Sequence, residues 1–68
     1  MRKLRQYMCT FHCGEKSIGT VMYVSFHRKG SKANRDDAYR AIKRKFGVRV
    51  RQSAEIDSIV RYEYEGYM

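Results

Sequence analysis

A strand pattern runs through residues 5–27, which read RQYMCTFHCGEKSIGTVMYVSFH. In the first half, every second residue from Tyr7 to Cys13 is an aromatic residue or a cysteine, and a period of two is typical of a β-strand. After a polar turn at residues 14–17, the stretch 18–27 is rich in Val, Tyr, Phe and Thr, which strands favour. The two stretches therefore predict an antiparallel hairpin.

One helix is predicted after the hairpin. Asn34 is expected to begin it, because its side chain can accept hydrogen bonds from the free N–H groups of the first turn. Asp36 and Asp37 place negative charge near the positive end of the helix dipole, and Gly47 is expected to end the helix. Between these signals the apolar residues fall on one helical stripe, formed by Ala38, Tyr39, Ile42 and Phe46.

Two further strands are expected after the helix. Residues 48–52 alternate valine with arginine, residues 53–57 are polar enough to turn, and residues 58–65 alternate again. The predicted fold class is α+β, a small antiparallel sheet in β-β-α-β-β order with one helix packed across one face. Ile42 and Phe46 would then be buried against one face of the second strand, formed by Met22, Val24 and Phe26.

Length and composition narrow the class of protein. The 68 residues are enough for one thin core, so residues 1–68 are expected to form a single small basic α+β domain. Hydrophobic residues make up 43% of the chain, which excludes the composition of a disordered protein. The longest apolar run, residues 21–24, is far below the roughly 20 residues of a membrane span. We therefore expect a cytoplasmic protein that has no membrane partner.

The positive charge is concentrated in the middle of the chain. The net charge is +8, and residues 28–51 hold ten basic residues against Asp36 and Asp37. Clustered Lys and Arg attract polyanions, of which nucleic acid is the commonest inside cells. The predicted nucleic-acid-binding residues come from the loop before the helix, the helix and the segment after it: Arg28, Lys29, Lys32, Arg40, Lys43, Arg44, Arg49 and Arg51.

Neither a metal site nor catalysis is predicted. Cys9 and Cys13 would lie about 13 Å apart in one extended strand, too far to share a zinc ion or to form a disulfide. The chain has no phosphate-binding glycine loop and no recognisable set of catalytic residues. We expect a non-enzymatic protein without a cofactor.

The charge pattern favours a small protein that binds DNA or RNA, mainly at the phosphate backbone and with weak sequence preference. The alternative is a protein-binding module, such as a phage or prophage inhibitor that docks on an acidic surface of a host enzyme. Residues 52–68 carry four acidic residues and one arginine. This acidic end can pair with the basic middle inside one molecule or between two, so a homodimer is also possible.

The layout resembles two kinds of known protein in topology alone. A hairpin followed by a basic helix resembles the small DNA-binding domains at the start of tyrosine-type integrases, which implies DNA binding. The β-β-α-β order resembles short phage proteins that inhibit host enzymes, which implies a protein partner.

Aromatic side chains are the remaining candidates for nucleic-acid contacts. The chain has six Tyr and three Phe, and exposed aromatic rings among basic residues are typical of single-strand binding. A domain of this size needs most of its aromatic residues for its core. At most two or three are therefore expected to be exposed, with Tyr67 and Tyr7 favoured by their positions.

Overall fold

The computed structural model describes residues 4–15 and 17–62. Two helices lie between the second and third of three strands, and the three strands form one antiparallel sheet in the order β2-β1-β3. The elements are β1 (Arg5–Cys13), β2 (Ser17–Ser25), α1 (Lys32–Phe46), α2 (Val48–Ser53) and β3 (Ala54–Arg61). The predicted α+β class and antiparallel sheet are confirmed, whereas the observed order is β-β-α-α-β.

The predicted hairpin is confirmed. Its strands pair in continuous register from Arg5 opposite Ser25 to Cys13 opposite Ser17. Gly14 follows β1 with a φ of 69°, a conformation that glycine adopts without a steric penalty. The chain can therefore reverse within three residues.

The core lies between the inner face of the sheet and α1. The alternation predicted for β1 is confirmed, because Tyr7, Cys9 and Phe11 are all buried. Two helix residues of the predicted stripe, Ala38 and Ile42, are buried as well. The other buried hydrophobic residues are Val21, Tyr23, Ala41 and Ala54.

The predicted inner face of β2 was wrong. Met22, Val24 and Phe26 are exposed, and the buried face of β2 carries Val21 and Tyr23 instead. The cause is the register, because residues directly opposite on neighbouring strands share one face of the sheet. Val21 lies opposite Cys9 and Tyr23 lies opposite Tyr7, so the buried face of β1 determines the buried face of β2.

The predicted start of the helix was also wrong. α1 begins at Lys32, and the Ser31 side chain accepts a hydrogen bond from the backbone N–H of Asn34 at 3.1 Å. Ser31 is therefore the N-cap. The two aspartates, Asp36 and Asp37, fall beyond the first turn, which contains no acidic residue. Asn34 is fully buried and has a different role, described below.

The end of α1 is as predicted. Gly47 has a φ of 102°, and its N–H donates to the Lys43 carbonyl at 2.9 Å. Phe46, which was expected to be buried, remains 40% exposed. Its ring packs edge-on against Phe11, with 5.5 Å between the ring centroids.

Residues 48–52 form a helix rather than the predicted strand. The first turn of α2 is closed by the Arg51 N–H, which donates to the Gly47 carbonyl at 3.1 Å. The two valines do not share a buried face, because Val50 packs against the core while Val48 is exposed. A run of only two alternating valines therefore did not determine a strand.

The last strand begins earlier than predicted. Residues 54–57, expected to turn, form the first half of β3, and residues 63–65 of the predicted strand lie outside the described residues. Thr10 pairs with Ser58 and Phe11 pairs with Ile56, so Asp57 is an extra residue in a β-bulge. The bulge allows both Ile56 and Ile59 to pack against the core despite their odd spacing.

Candidate nucleic-acid interface

The predicted basic residues lie around α1 and at its two ends. Seven of the eight are exposed, and Arg51 is half-buried. They divide among the β2–α1 loop (Arg28 and Lys29), α1 (Lys32, Arg40, Lys43 and Arg44) and α2 (Arg49 and Arg51). Arg49 and Arg51 were expected to lie on a strand. They lie on α2 instead and extend the basic helical surface.

The basic residues of α1 lie on more than one side of the helix. At about 100° per residue, Arg40 and Lys43 lie opposite the buried Ala38. Arg44 is turned toward β2, where it lines a cleft together with Arg40. The structure therefore places these side chains on the exposed side of α1 and on its β2 flank, not on one flat face.

Both aspartates of the basic segment are held in ion pairs within α1. Asp36 pairs with Lys32 at 3.3 Å, and Asp37 pairs with Arg40 at 2.9 Å. Within residues 4–15 and 17–62, ion pairs involve only these two of the ten basic side chains between residues 28 and 51. Most of the positive charge therefore faces solvent without an acidic partner in the described part of the chain.

Arg51 contributes to packing as well as to charge. Its guanidinium carbon lies 3.9 Å from the centre of the Tyr39 ring, which is a close cation–π contact. The Tyr39 hydroxyl in turn accepts a hydrogen bond from the Ile56 N–H at 3.4 Å. These contacts connect α2, α1 and β3, so Arg51 is less free to reach a ligand than its exposed neighbours.

Arg35 belongs to the same surface but was not among the predicted site residues. It is the fourth residue of α1, is exposed, and lines a shallow cleft with Gly30, Lys32, Asp36 and Tyr39. The count of basic residues in segment 28–51 already included it.

Buried hydrogen bonds fix the start of the basic loop. The Tyr23 hydroxyl donates to Asn34 Oδ1 at 2.6 Å, and Asn34 Nδ2 donates to the His27 carbonyl at 2.9 Å. That carbonyl also accepts from the Tyr7 hydroxyl at 3.2 Å. Burial raises the pKa of the Tyr23 hydroxyl above its ordinary range, so the hydroxyl stays a hydrogen-bond donor into alkaline solution. The loop therefore leaves the sheet at a rigid point.

A second set of hydrogen bonds orients Arg40. Ser25 Oγ donates to Asp37 Oδ2 at 2.6 Å and accepts from the His27 N–H at 3.0 Å. The other Asp37 oxygen, Oδ1, accepts from Arg40 Nη1 at 2.9 Å. Because one carboxylate connects the end of β2 to α1, the Arg40 guanidinium is held beside the β2 edge.

The cysteines and histidines are not gathered into one site. Cys9 is buried on the inner face of the sheet, where burial and then the charge of Asp57 raise the pKa of its thiol to about 11. His12 points to the other face, where its ring nitrogens lie 2.8 Å from Asp57 and 3.5 Å from Glu55. In the described ranges 4–15 and 17–62, no group of three or more His, Cys, Asp and Glu residues could hold a metal ion.

The outer face of the sheet differs from the helical surface. Its central residues are apolar or uncharged, and Met22, Val24 and Val60 are all exposed there. The described residues that point to this face include no lysine or arginine. The positive charge of this part of the chain is therefore on the helical side.

The structure tests one of the two aromatic residues that were predicted to be exposed. Tyr7 is only 2% exposed, which contradicts the prediction, and Tyr67 lies outside the described residues. Among residues 4–15 and 17–62, the exposed aromatic side chains are Phe26, Phe46 and Tyr62. Of these, Phe26 follows β2 directly and lies beside the two arginines of the β2 flank.

Comparison of the chain with known protein families, with curated proteins and with solved structures gives no match. No helix in the described part of the chain is long and apolar enough to cross a membrane.

Proposed function

We propose that this chain is a small non-enzymatic protein that binds the phosphate backbone of nucleic acid through its basic helical surface. The observation that carries the proposal is the charge balance of segment 28–51. Its two aspartates are paired with Lys32 and Arg40, while the other basic residues have no ion pair among the described residues. Such a surface attracts polyanions and releases condensed counterions when it binds them.

Weak sequence preference is part of the proposal. The exposed side of α1 carries Lys and Arg, which contact phosphates readily and read no sequence when they do so. The outer face of the sheet, which a strand-based reader of base edges would use, has no described lysine or arginine to hold it on the backbone. Binding would therefore depend on charge and shape more than on bases.

A salt titration tests the proposal. Fluorescence anisotropy with two unrelated labelled duplexes, between 50 and 300 mM salt, should give the same affinity for both within a few fold. If four to six phosphates are neutralised, the slope of log K against log salt should be about −4 to −5. A slope near zero, or no binding to a duplex or a single strand at low salt, would contradict the proposal.

Matched variants locate the contact. Arg44 is exposed on the proposed surface, and Arg5 is exposed at the start of β1. Arg44→Gln should make the slope shallower by about one, whereas Arg5→Gln should leave it unchanged. Equal effects of the two variants would indicate a general attraction by net charge.

A protein-binding module is the second candidate, and the exposed apolar residues of the outer sheet face favour it. Here the basic surface would dock on an acidic protein surface, as an inhibitor of a host enzyme would. Poly-L-glutamate of matched length provides a probe. If it binds more tightly than a DNA duplex at the same salt concentration, the protein partner is favoured over nucleic acid.

A further inference from the structure

A cleft of about 290 Å³ lies between the edge strand β2 and α1. Its apolar lining includes Leu4, Val24 and Phe26, and its charged lining includes Arg40 and Arg44. Its volume is at the lower end of the range of ligand clefts, which fits one planar ring better than a large ligand.

Phe26 provides an unpartnered ring in this cleft. Its side chain is 54% exposed, and within the described ranges it has neither a ring partner nor a cation partner. The two other exposed aromatic residues in the described part of the chain are placed differently. Phe46 packs against Phe11, and Tyr62 follows β3, at the opposite edge of the sheet.

The charges around the ring favour an anion. Arg44 has no ion pair among the described residues, and a guanidinium binds phosphate oxygens in a forked geometry. Asp37 also lines the cleft, but its two oxygens already accept hydrogen bonds from Ser25 and Arg40. The ion pair between Asp37 and Arg40 therefore holds the Arg40 guanidinium at the cleft. Both carboxylate oxygens of Asp37 already accept a hydrogen bond.

We infer that this cleft binds one unstacked base of a single-stranded nucleic acid. The base would stack on the Phe26 ring, and the phosphates next to it would lie against Arg40 and Arg44. A duplex keeps its bases paired and stacked, so only a single strand can supply a free base at this site. The inference rests on the proposed function and adds to it a preference for single strands.

Two leucine variants test the inference. Phe26→Leu keeps an apolar side chain and removes the flat ring, and Tyr62→Leu makes a similar change at an aromatic residue that is 40% exposed on the other edge. The probes are a labelled 12-nucleotide deoxythymidine strand and a 12-base-pair duplex. The wild type should prefer the single strand. Phe26→Leu should weaken single-strand binding about tenfold and duplex binding less than twofold, while Tyr62→Leu changes neither.

The outcomes separate the inference from the proposed function. If the wild type binds neither probe in a salt-dependent way, the proposed function fails. If it binds both and Phe26→Leu has no effect, or weakens both equally, the inference is overturned and the proposed function stands. If Phe26 matters for poly-L-glutamate but not for the strand, the cleft belongs to a protein partner and the inference is likewise overturned.

A measurement on the wild type tests the inference even if Phe26→Leu fails to fold. Addition of the deoxythymidine strand should shift the ring protons of Phe26 upfield in NMR spectra, because a stacked base shields them. Addition of inorganic phosphate at the same ionic strength should not. If the strand binds without shifting these resonances, the inference is overturned whatever the stability of Phe26→Leu.

Discussion

The Phe11 ring lies directly over Gly19, its partner on the neighbouring strand, so closely that a Cβ atom at Gly19 would be 2.6 Å from the ring carbon Cζ. Phe11 is buried, and its ring also packs edge-on against Phe46. The absence of a side chain at Gly19 therefore allows the aromatic core to extend to the hairpin end of the sheet.

Gly19→Ala is expected to destabilise the protein. The added methyl group overlaps a rigid ring in a packed core, which costs on the order of 1 to 3 kcal/mol in the free energy of unfolding. Thr20→Ala, at the next and exposed position, serves as the control. Urea denaturation measures both variants. Since alanine is otherwise acceptable in a strand, equal stability of Gly19→Ala and the wild type would show that the ring lies elsewhere.

Ile42 and Phe46, both predicted to be buried against the sheet, should contribute differently to the free energy of unfolding. Ile42 is fully buried, so Ile42→Ala should cost about 2 to 5 kcal/mol. Phe46 is 40% exposed, so Phe46→Ala should cost less, about 2 kcal/mol. Thermal unfolding monitored by circular dichroism shows which variant loses more stability. A larger loss for Phe46→Ala would mean that its ring is more deeply packed than the structure indicates.

Asn34 is expected to matter more than the residue that caps the helix. Ser31→Ala removes one capping bond and should cost about 1 kcal/mol. Asn34→Ala leaves the buried Tyr23 hydroxyl without its acceptor, which should cost about 1 to 3 kcal/mol in the free energy of unfolding. It also removes one of the two donors to the His27 carbonyl, which keeps its hydrogen bond from the Tyr7 hydroxyl.

A double-mutant cycle checks the role assigned to Asn34. Tyr23→Phe removes the hydroxyl that depends on the asparagine, so it should recover part of the stability lost in Asn34→Ala. Additive losses in the two variants would show that the Tyr23 hydroxyl does not depend on Asn34.

Alkaline pH should reveal the buried thiol. The pKa of Cys9 rises from an ordinary value of 9.0 to about 11 on folding, so the unfolded chain releases its thiol proton first. The contribution of Cys9 to stability is therefore complete below pH 9 and is lost as the pH rises from 9 to 11. Cys9→Ala should flatten the fall in stability over this window, as measured by urea denaturation at each pH. An unchanged pH dependence would contradict the burial of Cys9.

Sequence patterns predicted the elements in which all local signals agree. They failed where a contact between elements determines which residues are buried. The alternation in β1 was sufficient because aromatic residues and cysteines mark one face. In β2 both faces carry apolar residues, so only pairing with β1 could choose Val21 and Tyr23 over Met22 and Val24.

The errors after α1 have local causes. In residues 48–52 two valines were too few to distinguish a strand from a turn of helix, and in β3 the bulge at Asp57 disrupts the period of two. Asparagine is a residue type typical of helix caps, but Asn34 is buried in the core. The sequence alone does not distinguish these two roles.

The basic composition of the candidate site could be predicted from the sequence, but its three-dimensional shape could not. The excess of Lys and Arg in segment 28–51 is visible in the sequence, and the structure adds which charges are already paired. The cleft beside Phe26 could not be predicted, because it depends on β2 presenting Phe26 to solvent next to α1.

Removing three unpaired charges should separate binding from folding. Lys43, Arg44 and Arg49 are exposed and have no ion pair among the described residues, so replacing all three with Gln should change the melting temperature by no more than a few degrees. If these side chains meet phosphates, duplex affinity should fall at least tenfold and the salt slope should become shallower by about three. Anisotropy titrations measure both quantities, and Arg5→Gln is the control. Lost stability would mean that the charges support the fold, whereas unchanged binding and stability would move the contact to Arg28, Lys29 and the start of α1.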